Sequence, residues 1–454
     1  MKTAFEARAP GIRVMSGKDW SLLGAPVTDE AAEDILRSKL SDLQLMGQRL
    51  NQIDAHDALF LLKNCFAIPK LTYTLRSAPT FKHENILKLY DEELRKSLES
   101  ILNVSLGQDA WDQSSLPAAK GGLGIRWASD LALPAYLASA HGAVAAMATL
   151  LPDRMRDLDN QTCLEALEEW KGKACNNNEE NKAIPSGSVQ AQWDSPLIDV
   201  KYKQLLCSQE SPLERARLLA VASEHSSDWL HALPVPSLGL KLDNASLRIA
   251  CGIRLGTPLC HPHQCQCGAA VDSFGRHGLS CKSAAGRHSR HSQVNDLIKR
   301  ALASAQVPSI REPPGLSRLD GKRPDGLTLL PWSQGKSLVW DYTCSDTLAA
   351  SHVPNTSQEA GKSAQQAEER KLSHYVDLAT SGYTVMPVAS ETLGSWAPLG
   401  LKFIKEIGTR IADATGEKRS TSFLFQSIAV QRGNAASIAG TIPSTKQLDE
   451  LYYL

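Results

Sequence analysis

At 454 residues the chain has room for about two to four domains. Apolar content of 42% and charged content of 22% sit near the globular average, enough to build cores. The 49 basic and 49 acidic residues cancel, which argues against capture of nucleic acid by whole-molecule charge.

Residues up to Trp20-Ser21-Leu22-Leu23-Gly24-Ala25-Pro26-Val27 read as a strand and a turn. Thr28 and Asp29 offer caps for a helix whose apolar positions, Ile35, Leu36, Leu40, Leu43, Met46 and Leu50, recur at helical spacing. Further helices are expected over about 54–67, stopping before Pro69, and about 84–104. Gly121, Gly122 and Gly124 mark a turn; no strand-loop-helix unit supports a dinucleotide loop there. The stretch 131–151 has no Lys, Arg, Asp or Glu and is long enough to span a membrane. It is dominated by Ala, however, and His141 near its centre is costly in lipid, so a soluble helix with Pro134 in its first turn is the expectation.

The segment 174–190 is polar and turn-rich, and reads as a linker or long loop. Helices are expected near 196–208, 212–232 and 243–253, with Pro234 and Pro236 marking a break. Beyond Cys281 the pattern changes to a helix at about 288–305, a strand at 308–311 and two strands bordering Asp325 and Asp341. Pro331-Trp332-Ser333-Gln334-Gly335 reads as a turn that joins those two strands in a hairpin. A long helix over about 358–380, a strand at 383–388 and helices near 399–415 and 421–438 complete the chain. The fold class expected is α+β and multidomain.

Five of the ten cysteines fall between Cys251 and Cys281, which favours a metal site over a disulfide scaffold. Cys265, Cys267, His277 and Cys281 form a Cys₃His set suited to tetrahedral Zn²⁺. Gly268 could permit the bend that a Cys-x-Cys pair requires; Cys260, His261 and His263 are possible substitutes, and a Cys-rich loop without metal is the alternative. The opening Met1-Lys2-Thr3-Ala4-Phe5-Glu6 lacks an apolar run, so no secretory signal is expected and a nuclear or cytoplasmic setting is the default.

Residues 251–330 carry eleven Lys/Arg against five Asp/Glu, a phosphate-attracting excess that includes Arg287, Arg290, Lys322 and Arg323. Asp325 and Asp341, on neighbouring strands, can share a hard cation such as Mg²⁺, with Glu312 or Glu368 assisting. A nuclease also wants a cationic group, but Thr343 stands two residues after Asp341. The candidate is Lys371, one turn after Glu368 on the next helix, with Lys362 second. On spacing alone the alternatives are strand-end surface aspartates and a solvated Glu368–Lys371 ion pair.

Taken in order, these motifs resemble the C-terminal half of the polyprotein of non-LTR retrotransposons that carry a restriction-like endonuclease. Leu22-Leu23-Gly24-Ala25-Pro26 resembles the strand that closes a reverse-transcriptase palm, and the helices to about Leu150 its thumb. The Cys₃His set is similar to the family's zinc knuckle. Arg323-Pro324-Asp325 matches its Lys/Arg-Pro-Asp signature, and Lys371 with His374 and Tyr375 resembles its helix-borne lysine motif. The resemblance implies a palm-end remnant over 1–27, a thumb-like region over 28–173, a linker and helical region over 174–254 and a zinc knuckle over 255–285. It then implies a PD-(D/E)-x-K endonuclease domain over 286–440 and a tail over 441–454. It further implies Mg²⁺-dependent nicking of target DNA for primed reverse transcription, with DNA and element RNA as partners and no membrane. The palm's Phe/Tyr-x-Asp-Asp motif is absent, so the expected protein is truncated and cannot copy RNA alone. A catalytically inactive nucleic-acid-binding remnant is the rival expectation.

Overall fold

The computed structural model describes residues 16–150, 161–174, 184–185, 187–281, 283, 285–316 and 323–431. Lys322, the side chain of Arg287 and the expected tail lie outside the described residues. The protein is mixed α+β and mostly helical, and divides into two compact units: 1–52, 61–97 and 126–201 in one, 53–60, 98–125 and 202–454 in the other.

The first unit is helical with a short hairpin, Ser21–Leu22 against Ala25–Pro26. Helix Asp29–Leu50 starts as its sequence dictates: the Thr28 hydroxyl accepts the Ala31 N–H. Pro69 does not end structure; a π-helical turn at Leu62–Phe66 makes the break, and Pro69 sits in the first turn of helix Ile68–Ser77, where no N–H is needed. The Ala-rich helix runs from Ala128 to Leu150, so Pro134 falls within it rather than in its first turn. Its start is fixed by the buried Asp91 carboxylate, which accepts the N–H groups of Ala128 and Ser129. Among the described residues this is the one helix long and apolar enough to cross a membrane, and 47% of its most apolar window is buried. Leu133, Leu137 and Ala138 on it pack with Ala166, Trp170 and Trp193. Helix Gln161–Ala174, which supplies Trp170, is not among the elements expected from the sequence, although its buried Ala166, Trp170 and Ala174 recur at helical spacing.

In the second unit a helix–sheet body is built from eight elements. They are α1 (Ala285–Ser304), β1 (Ser309–Arg311), β2 (Gly326–Thr328), β3 (Leu338–Ser345), α2 (Lys362–His374), β4 (Thr384–Glu391), α3 (Pro398–Thr415) and α4 (Ser420–Gln431). The strands form one sheet in the order β1-β2-β3-β4. The expected hairpin is present: β2 is antiparallel to β1 and β3, while β3 runs parallel to β4 because α2 carries the chain back between them. Alternation along β3 sorts its side chains. Leu338, Trp340 and Tyr342 enter a core with Val294, Ile298 and Leu302 of α1, Phe403 and Ile407 of α3, and Phe425 of α4. Asp341, between Trp340 and Tyr342, is left for the opposite face, where Ala364 and Ala367 of α2 pack on Ala389. The expected long helix over 358–380 is broken: α2 ends at His374, and a short helix, Val376–Thr380, follows Tyr375.

Candidate functional site

The Cys₃His ligands are presented by a small hairpin, His263–Gln264 against Ala270–Val271, and by the short helix His277–Ser280. The chain reverses because Gly268 adopts φ +85°, a left-handed conformation that costs other residues strain, and its N–H donates to the Cys265 carbonyl. The four ligand atoms of Cys265, Cys267, His277 and Cys281 lie within 4.8 Å of one another. Cys265 Sγ is 3.8 Å from Cys281 Sγ, and Cys267 Sγ is 3.1 Å from His277 Nε2. The Ala269 N–H is the main influence holding the Cys267 thiol down, at about 7, which favours the ligating thiolate. This group can hold a metal ion. Cys260 is not part of it: its Sγ donates to the Asp272 carbonyl, and burial pushes the thiol up to about 11.

The two aspartates meet through strand register. β2 and β3 pair Gly326 with Trp340; Asp325, the residue before Gly326, continues this antiparallel register toward Asp341, close enough for its charge to act on the Asp341 carboxyl. There the β2 ladder ends, and the Asp325 side chain takes its place: Oδ2 accepts the Tyr342 N–H at 2.7 Å. Gly326 is required at this crossing, since a Cβ on it would lie 2.0 Å from the Trp340 ring.

Lys371 arrives from α2, and its Nζ is 2.7 Å from Asp341 Oδ2. The Tyr375 hydroxyl donates to Asp341 as well. Burial raises the Asp341 carboxyl above its ordinary value, with Asp325 adding to the shift, against the pull of Lys371 and Tyr375. Burial also pushes Asp325 upward, but the hydrogen bond and charge of His291 and the Tyr342 N–H outweigh it and hold that carboxyl low.

His291 is a residue that sequence reasoning missed. Its Nε2 lies 3.2 Å from both Asp325 Oδ2 and the Tyr342 carbonyl, and the Asp325 bond raises the imidazole's affinity for a proton. One turn along α1, Asn295 accepts the Trp340 indole N–H and approaches His291. No spacing rule links His291 to an aspartate 34 residues later, so only the fold could reveal it.

Other candidates stand elsewhere. Glu368 is buried, and its Oε2 accepts the N–H groups of Leu399 and Gly400, so its carboxylate caps a helix and forms neither the expected ion pair with Lys371 nor part of the aspartate pair. Lys362 contacts Gln365 and Glu359. Glu312 begins beside the site, donating its N–H to the Asp325 carbonyl, but its exposed carboxylate pairs with Arg323. Arg290, expected on a phosphate-binding surface, is only 4% exposed, and its charge acts on the half-buried Asp346. Of the four expected basic contacts, Arg323 is the one whose described side chain reaches solvent. No family model matches the chain, and no curated protein matches it.

Proposed function

We propose that this protein is a metal-dependent DNA endonuclease of retroelement origin, with a PD-(D/E)-x-K-like nuclease body and a zinc knuckle. The observation that carries the reading is the convergence of Asp325, Asp341 and Lys371 at the end of β2, where two strands and one helix bring two carboxylates and an ammonium together. Oxygen donors of this kind suit Mg²⁺, which takes one or two carboxylates and keeps several waters. Asp325 and Asp341 would hold the ion, which when bound supplies a water of lowered pKa and neutralises phosphate charge. Lys371 places a positive charge beside the carboxylates, where it stabilises charge developing on the scissile phosphate. The Cys₃His group, with its thiolate and imidazole donors, fits zinc and a structural role beside the DNA.

The helix-borne lysine replaces the strand-borne one that the Asp-x-Lys spacing would supply. It reaches Asp341 because α2 lies across the face of the sheet from which Asp341 projects. By the family resemblance, the nick would expose a 3′-hydroxyl for primed reverse transcription, with DNA and element RNA as partners. The test is nicking of supercoiled plasmid with and without Mg²⁺ by the wild type, Asp325→Ala and Asp341→Ala. Cleavage by the wild type alone is expected. Equal cleavage by all three removes the aspartates from the chemistry; DNA binding without any cleavage identifies an inactive remnant.

A further inference from the structure

Helix α2 and helix α3 share an anomaly at their starts. The residue before α2 is Gly361 and the residue before α3 is Ala397; neither has a side-chain oxygen to cap its helix. Each helix is capped instead by a buried carboxylate from another element. Glu391, at the end of β4 and fully buried, accepts the N–H groups of Ser363 (2.9 Å) and Ala364 (3.3 Å) through Oε1. Its Oε2 accepts the Thr347 hydroxyl at 3.2 Å, so the carboxylate is held from both sides. Glu368, midway along α2, accepts Leu399 N–H (2.9 Å) and Gly400 N–H (3.3 Å) at the start of α3.

These two contacts fix α2 at two points. Glu391 pins its first turn to the end of the sheet, and Glu368 pins its second turn to α3. Lys371 lies three residues beyond Glu368 and reaches Asp341 from the same helix. A buried carboxylate is costly unless hydrogen-bonded, and alanine caps elsewhere in helices are tolerated at modest cost. Two such carboxylates, Glu391 bonded to the start of the helix that supplies the cation and Glu368 carried on it, are therefore more than local caps.

We propose that Glu368 and Glu391 are positioning residues that clamp α2 so that the Lys371 ammonium stays against Asp341. The proposal deepens the nuclease reading and rests on it for the role of Lys371, but the clamp itself can be measured without cleavage. Reductive methylation of the intact protein, read residue by residue by mass spectrometry, reports how well the Lys371 amine is shielded. Glu368→Ala and Glu391→Ala are expected to raise Lys371 labelling several-fold while lysines of the other unit, such as Lys88, keep theirs. Glu368→Gln, which retains an oxygen for the two N–H donors, is expected to stay near the wild type. Glu368→Asp, which keeps the charge but withdraws the oxygens by one methylene, is expected to follow the alanine variant and serves if that variant does not fold.

In single-turnover nicking, loss of either clamp is expected to lower the rate about tenfold or more with DNA affinity unchanged, as small misplacements of reacting groups do. On a Lys371→Met background the same substitutions are expected to cost nothing further, because they act through the lysine. Unchanged Lys371 labelling in the folded Asp and Ala variants overturns the clamp. Altered labelling in a protein that never nicks DNA upholds the clamp and overturns the nuclease reading instead.

Discussion

Lys371→Met tests the core of the site without reference to catalysis. The ion pair with Asp341 has a 2.7 Å separation, with side chains 23% and 12% exposed. At an effective dielectric of about 20 its gross attraction is on the order of 6 kcal/mol, most of it offset by desolvation. Removing the lysine strands a buried carboxylate opposite Asp325, at a cost of about 2–4 kcal/mol. Asp341→Asn alone costs less, about 1–2 kcal/mol, because the long lysine stem can carry its charge to solvent. The double variant should cost little more than Asp341→Asn, giving a coupling of about 1–3 kcal/mol. Native-state hydrogen exchange of the Tyr342 and Thr343 amides reads the local free energy directly. The penalty also has a sign in pH. Lys371 opposes the rise of the Asp341 carboxyl, so without it that carboxyl sits higher still in the folded state. A folded-state rise gives stability that is present at low pH and lost as pH increases. The Lys371→Met penalty should therefore be smaller at pH 5 than at pH 8. Additive single variants, or a penalty equal at both pH values, would refute the buried pairing.

Three other outcomes are expected. Gly326→Ala places a Cβ 2.0 Å from the Trp340 ring and should destabilise the β2–β3 crossing by about 1–3 kcal/mol or more, with a shifted tryptophan emission and lost nicking; an unperturbed emission spectrum and stability would contradict the close approach. The purified chain should carry about one equivalent of zinc, released when Cys281 is replaced by alanine, as metal analysis of undenatured protein will report; a zinc-free wild type would remove the knuckle. Burial raises the Asp91 carboxyl to about 7 from an ordinary 3.8, so its contribution is full below the unfolded value and is lost as pH climbs through 7. Asp91→Asn should flatten the fall in melting temperature of the helical unit between pH 5 and 8; an unchanged slope would mean that the three donors from Ala128 and Ser129 keep Asp91 ionised.

What could be read from the sequence was local. The Thr28 cap and the Gly268 bend depend on residues within a few positions of one another, the hairpin around Ser333 and the Cys₃His set on short stretches of chain, and the structure places all of them as expected. Pro69 misled because a proline is compatible both with a helix end and with a helix start, and only the π-helical turn before it decides between them. The long helix after 358 was expected to continue through Tyr375, since nothing in the local pattern forbids it. It breaks there, at a residue that is buried and donates to Asp341.

Glu368 and Lys371 show where spacing fails. Three residues apart on one helix, they should face the same way and pair. They diverge because each finds a better partner across the fold: the ammonium meets a buried carboxylate, and the carboxylate meets two N–H groups that no local side chain caps. An exposed ion pair between them would contribute a few tenths of a kcal/mol. Burying either partner unsatisfied would cost several times that. Tertiary demand therefore decides the pairing, and the residues it recruits, His291, Glu391 and Glu368, are the ones whose roles no spacing rule can assign.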